Sequence, residues 1–167
     1  MIKYLLLGLL TLLINCTSDK GKYQDIIGRE YRDINENKEF EDLKQVSSGL
    51  IYDSDFTVAN CKKDSFHILV LERVRHDAGG KAMFTAIDIL EINGIEKQQR
   101  FEFDMCRLNG KSDPYIIALI DYTEIDYTNT PQYLTKIKRA WKANPKEGKL
   151  EEIPTAGVDC VNIDYGI

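Results

Sequence analysis

From residue 49 onward, apolar and polar residues alternate at a period of two, the rhythm of strands with one wet and one dry face. In "IYDSDFTV" (51–58), Tyr52, Phe56 and Val58 share one face against Asp53, Asp55 and Thr57. "HILVLERV" (67–74) is apolar on both faces in its middle, and "HDAGG" after it supplies two glycines free to take positive φ. "AMFTAIDILEI" (82–92) follows, so residues 66–92 predict a β-hairpin. "FEFDM" (101–105) sends Phe101, Phe103 and Met105 inward and Glu102, Asp104 and then Cys106 outward. After the "NGKSDP" turn, "YIIALIDY" (115–122) is apolar on both faces and predicts a central strand covered on both sides. Earlier, "EFEDLKQV" (39–46) spaces Phe40, Leu43 and Val46 three apart and suggests a short helix.

The segment "TPQYLTKIKRAWKANP" (130–145) reads two ways. As a strand it places Tyr133, Ile137 and Trp141 on one face; as a helix, Leu134, Ile137 and Trp141 form one stripe. Thr130 suits an N-cap and Pro131 a first helical position. Asn144-Pro145 is a stop, and Lys136, Lys138, Arg139 and Lys142 lie toward the C-terminal end. These end signals favour the helix. "KLEEI" is a last short strand before an irregular tail from 154 to 167. The expected fold class is therefore α+β: an antiparallel meandering sheet of about five strands with a C-terminal helix packed on one face.

The first twenty residues follow another pattern. Lys3 precedes an apolar run from Tyr4 to Ile14, which ends in Leu13-Ile14-Asn15-Cys16 before the polar Thr17-Ser18-Asp19-Lys20. Eleven helical residues span only ~17 Å, short of the ~30 Å hydrocarbon core of a bilayer, so the run suits a signal-peptide core better than a membrane span. It resembles the lipobox of bacterial lipoproteins, with Asn15 standing where the common pattern has Ala, Gly or Ser. The resemblance implies removal of residues 1–15, acylation of Cys16 and a membrane held through that lipid. Thr17 is not the Asp that resembles an inner-membrane retention signal, which favours the outer membrane of a bacterial envelope. Residues 16–25 are then a lipidated N-terminus and tether, and 26–167 a single globular domain. The stretch "RAWKANPKEGKLEEI" with "GVDCVN" is similar to small exported lipoproteins that carry no known activity.

Removing residues 1–15 takes Lys3 and leaves 21 basic against 27 acidic side chains, a formal charge of −6. Both signs are interspersed, and no basic block offers the concentrated positive surface that nucleic acid requires. Cys61, Cys106 and Cys160 follow the lipidation site. In an oxidising compartment a pair should close and one thiol remain. A zinc site lacks the ligand spacing, because only His67 and His76 could assist and neither stands in a C-x-x-C or H-x-x-H pattern. Counting chain reversals in a simple meander brings Cys160 to the end of the sheet that Cys61 occupies and Cys106 to the other. The expected bond is Cys61–Cys160.

Catalytic constellations are absent as motifs. There is no G-x-S-x-G and no H-E-x-x-H, and "HDAGGKA" lacks the first glycine and the hydroxyl of a phosphate loop. His76-Asp77 at a hairpin tip should point apart into water. No cofactor and no metal are expected. The segment "DYTEIDYTNT" (121–130) is unusual: Asp121, Glu124 and Asp126 interleave with Tyr122 and Tyr127, a candidate binding rim of flat aromatic area and acidic charge. A calcium loop would bring a glycine for its sharp turn, and none lies between 111 and 147. The favoured function is thus a membrane-anchored envelope protein with a non-enzymatic binding or structural role. Its alternatives are an immunity or inhibitor protein against a basic partner, or an anchored hydrolase. A deep cleft with convergent polar groups would favour the hydrolase; a flat acidic and aromatic patch would favour a protein partner.

Overall fold

A computed structural model describes residues 21–123, 132–163 and 165. Five strands form the first sheet: β1 (Glu30–Tyr31), β2 (Lys44–Leu50), β3 (Phe56–Lys63), β4 (Phe66–His76) and β5 (Ala82–Ile92), in the order β1-β5-β4-β3-β2. The chain continues through β6 (Gln99–Phe103), β7 (Cys106–Leu108), β8 (Lys111–Ser112), β9 (Ile116–Asp121), β10 (Tyr133–Leu134), β11 (Ile137–Asn144), β12 (Lys149–Ile153) and β13 (Val158–Val161). These divide into a second sheet, β12-β11-β9-β6, and a third, β10-β13-β7-β8. Every pairing is antiparallel.

The β4–β5 hairpin forms where its pattern predicts. Its turn is held by Asp77, whose Oδ1 accepts from the backbone N–H groups of Gly79 and Lys81, while Gly80 takes φ +77°. Strand β4 is apolar on both faces because both are covered. Leu69 and Leu71 enter a central core between the first two sheets, and Ile68 and Val70 enter an outer core beneath the N-terminal segment. That segment lays Ile26, Tyr31, Ile34, Phe40 and Leu43 over the sheet through three single 3₁₀ turns. One of these, Lys38–Phe40, stands where the three-residue spacing suggested a helix; Phe40 and Leu43 are buried as expected, whereas Val46 lies exposed on the edge strand β2.

The predicted central strand is also found. Every residue of β9 is buried: Ile117 and Leu119 face the central core, and Ile116, Ala118 and Ile120 face a third core against the third sheet. The molecule is therefore a stack of N-terminal cover, first sheet, second sheet and third sheet, with a separate core at each junction.

This architecture corrects the α+β expectation. The fold is nearly all antiparallel β in three sheets, and among the described residues no helix exceeds one 3₁₀ turn. Residues 133–134 and 137–144 are strands β10 and β11, not a helix. The reason lies in a register shift between Ile137 and Arg139. It turns Ile137 and Ala140 toward the third core and Trp141 and Ala143 toward the central one, so the apolar positions imitate a helical stripe while serving two opposite faces. A strand between two sheets needs apolar groups on both sides, and a helix with one stripe could not supply them.

The Cys61–Cys160 pairing is likewise overturned. Cys160 bonds Cys106, which lies directly opposite it in the β7–β13 register with Cα atoms 3.9 Å apart, and Cys61 is a free buried thiol. The meander breaks at Asp104, where φ is +55°. Beyond it the chain leaves the second sheet, Met105 swings out to 44% exposure and Cys106 turns fully inward, the reverse of their predicted faces. Cys61 packs in the outer core beside Ile26 and Phe40, with the first and second sheets between it and Cys160.

Two contacts fix how the first and second sheets close on each other. On one side the backbone N–H of Leu150 in β12 donates to Asp88 Oδ2 on β5 at 2.7 Å. On the other, Gly49 in β2 lies so close to Phe103 in β6 that a Cβ at 49 would overlap the phenylalanine Cβ.

Candidate functional site

The central-core face of the first sheet runs through Phe56 and Val58 on β3 and through Leu71 and Leu69 on β4. Continuing each alternation by one step reaches Asn60 and His67. Toward this end the core face turns polar while remaining buried, with Asn60 3% and His67 8% exposed. A buried amide and imidazole need partners, and here they find each other. His67 Nδ1 lies 2.9 Å from Asn60 Oδ1, and Asn60 Nδ2 donates to Ser47 Oγ on β2 at 3.1 Å. Because the amide nitrogen is directed to Ser47, Asn60 presents its oxygen to the ring. The proton therefore sits on Nδ1, and Nε2 of the neutral ring is an acceptor. Burial, and then the charge of Lys62, hold the His67 pKa below its ordinary value and keep the ring neutral.

These groups form the floor of a cleft of about 270 Å³ at the corner where β2 and β3 approach β6. Phe101, its ring 5.5 Å from that of His67, forms an apolar wall with Val46. Lys62, Lys97 and Arg100 line the cleft with Glu102. Tyr122 ties down the last two: its hydroxyl donates to Glu102 Oε1 at 2.6 Å, and the Arg100 guanidinium carbon lies 5.2 Å from its ring centre. Chemically the floor is arranged for hydrogen bonding. The Asn60 amide stands between the Ser47 hydroxyl and the His67 ring, so the hydroxyl accepts a hydrogen bond from Asn60 instead of giving its proton to a base.

Of the expected acidic and aromatic rim, Asp121 and Tyr122 lie among the described residues. Tyr122 packs against the third core and braces Arg100 and Glu102 at the edge of the cleft. Asp121, at the end of β9, is 8% exposed and bound locally: Oδ1 accepts from the hydroxyl and N–H of Thr123, and Oδ2 pairs with Lys138 at 3.0 Å. The Thr123 hydroxyl and N–H, and then Lys138, hold its carboxyl down to about 2. Glu124, Asp126 and Tyr127 lie outside the described residues, as does the lipidation candidate Cys16. Asp77 is structural; it holds its turn and pairs with Arg32 at 2.7 Å. Among the described residues no three His, Cys, Asp or Glu side chains are grouped to hold a metal ion.

A second buried polar pair lies on the opposite face of the first sheet. Glu72 continues the outer-core phase of Ile68 and Val70, at a register shift between β4 and β5, and is 4% exposed. Tyr31 on β1 donates its hydroxyl to Glu72 Oε1 at 2.6 Å. Burial pushes the Glu72 carboxyl up to about 7, with the tyrosine hydrogen bond pulling it back. Burial also pushes the neighbouring Cys61 thiol up to about 12.

Asn60 and Ser47 are not singled out by the sequence pattern, in which His67 stands as a possible metal ligand. The signal was present in the phase of the strands: "FTVANC" and "HILVL" each place one polar group in line with core residues. No protein-family model, curated protein or solved structure matches this chain.

Proposed function

We propose that this protein is a lipid-anchored protein of the bacterial envelope that binds a ligand in the cleft between its first two sheets, without catalysing a reaction on it. The observation that carries the binding reading is the Ser47–Asn60–His67 row, buried at Asn60 and His67, set as the floor of a cleft with three cationic side chains along it. The same row speaks against the hydrolase alternative, since its hydroxyl is not paired with a base. The anchor reading rests on the lipobox-like run ending at Cys16, and the Cys106–Cys160 disulfide supports an oxidising, exported setting.

Each half has its own test. Wild-type protein should fractionate with membranes and Cys16→Ser should appear in the soluble exported fraction; a wild-type protein already soluble there removes the anchor. For the cleft, the full-length protein in detergent micelles is titrated with the low-molecular-weight fraction of the envelope and followed by amide NMR. Shifts should cluster at residues 60–67 and 97–102, and shifts confined elsewhere would sink the binding site.

A further inference from the structure

We propose that the cleft takes a small hydroxylated anion, a carboxylate or phosphate carried on a body the size of one sugar ring. This rests on the cleft being the binding site and concerns what enters it.

The first argument is charge. The chain is net acidic, with a formal charge of −5, and it spends its arginines on its own carboxylates. Arg29, Arg32, Arg73, Arg75, Arg107 and Arg139 each stand within 4 Å of an aspartate or glutamate. Arg100 is the one arginine with no such partner among the described residues, and Lys62 and Lys97 of the same cleft have none either. Lone surface lysines need no explanation, but three cations without a carboxylate partner along one concave site, against the single carboxylate of Glu102, give an acidic protein a local positive field there. A low-dielectric wall such as Phe101 strengthens that field toward an anion, and a guanidinium offers a fork of donors that suits carboxylate and phosphate alike.

The second argument is the floor. His67 presents an acceptor at Nε2, and Asn60 Nδ2 retains one hydrogen after bonding Ser47. A hydroxyl, which both donates and accepts, satisfies such a pair; an anion without a proton to give, such as sulfate, leaves the His67 acceptor unmet. Phe101 and Val46 supply apolar surface for the C–H face of a ring. Size agrees: about 270 Å³ lies just below the ~300–1,000 Å³ of sites for drug-sized ligands, the scale of a monosaccharide.

The test titrates the full-length protein in detergent micelles with D-glucuronate, glucose 6-phosphate, glucose and inorganic phosphate, read by calorimetry and amide NMR. At least one of the two sugar anions should bind with shifts at residues 60–67 and 97–102, about tenfold or more tighter than glucose and tighter than phosphate, and weaken with salt. A Lys62→Gln/Arg100→Gln variant, altered only at exposed positions and checked for an unchanged spectrum elsewhere, should lose about tenfold or more of that affinity. Glucose binding as tightly as the anions, or the double variant binding like wild type, overturns the anionic ligand and leaves the cleft as a binding site. Phosphate binding as tightly as glucose 6-phosphate overturns the hydroxylated body. If no probe shifts the cleft the ligand class is wrong, and the envelope-extract titration then decides separately whether the cleft binds anything.

Discussion

Glu72 illustrates how much a single buried side chain can fix in this molecule. Strand alternation puts it in line with Ile68 and Val70, facing the N-terminal cover, where a charged carboxylate would lose its water. Its carboxyl therefore holds its proton up to about 7, against an ordinary 4.5. The consequence for stability has a definite sign. Between those values the folded protein keeps a proton that the unfolded chain has released, so the contribution is fully present below the ordinary value. It falls as pH rises through about 7 and then stays lost. The loss is on the order of 3 kcal/mol, at ~1.4 kcal/mol for each tenfold change in proton affinity. Glu72→Gln keeps an acceptor for the Tyr31 hydroxyl and removes the titration. Urea midpoints should show the variant gaining on wild type as pH goes from 5 to 8. A wild-type-minus-variant difference that does not change with pH would show that Glu72 is ionised in the fold throughout.

At the scale of elements, the corner between β2 and β6 is set by a glycine. The atom that a Cβ at Gly49 would strike is the Phe103 Cβ, fixed to the β6 backbone and unable to swing aside as a flexible tip could. Gly49→Ala should therefore separate the two strands, at a cost of about 1–3 kcal/mol, and widen the cleft beside them. An unchanged melting temperature would mean that the sheets already stand further apart. The same contrast between local and non-local causes explains what the sequence made legible. The 66–92 hairpin and the doubly covered β9 could be read because period, apolar run and turn residues lie next to one another. The strand at 137–144 could not, because Leu134, Ile137 and Trp141 stand three and four residues apart as in a helical stripe, whereas Leu134 lies on a separate strand and the bulge after Ile137 sends Ile137 and Trp141 to opposite faces. Nor could the break at Asp104, since an aspartate at positive φ does not announce itself as a glycine does. The cleft was half visible: Asn60 and His67 are polar residues in a core phase. Lys97 and Arg100 reach them only through the packing of one sheet on another, which no strand period encodes.

For the whole molecule, the question is what holds the outermost layer on. The third sheet is made of strands of two to four residues, too short to be stable alone. It is clamped by the Cys106–Cys160 bond and by Arg107, which grips Asp159 with two hydrogen bonds at 2.6 and 2.9 Å under the Tyr133 ring. A bond across a sequence separation of 54 residues stabilises by at most about 4 kcal/mol in the chain-entropy model. The first sheet depends on none of these contacts, since its long strands are buried between the other two cores. A Cys106→Ala/Cys160→Ala variant should thus loosen from one side. Hydrogen exchange should speed up across residues 106–112 and 158–161 while the amides of β3, β4 and β5 stay protected. Peptide mapping of the unreduced wild type should recover Cys106 joined to Cys160. Cys61, fully buried and with its thiol pushed up to about 12, should resist alkylation in both proteins until they unfold globally. If exchange instead rises equally in all three sheets, the layers unfold as one unit, and the disulfide stabilises the entire stack through the second sheet's shared core.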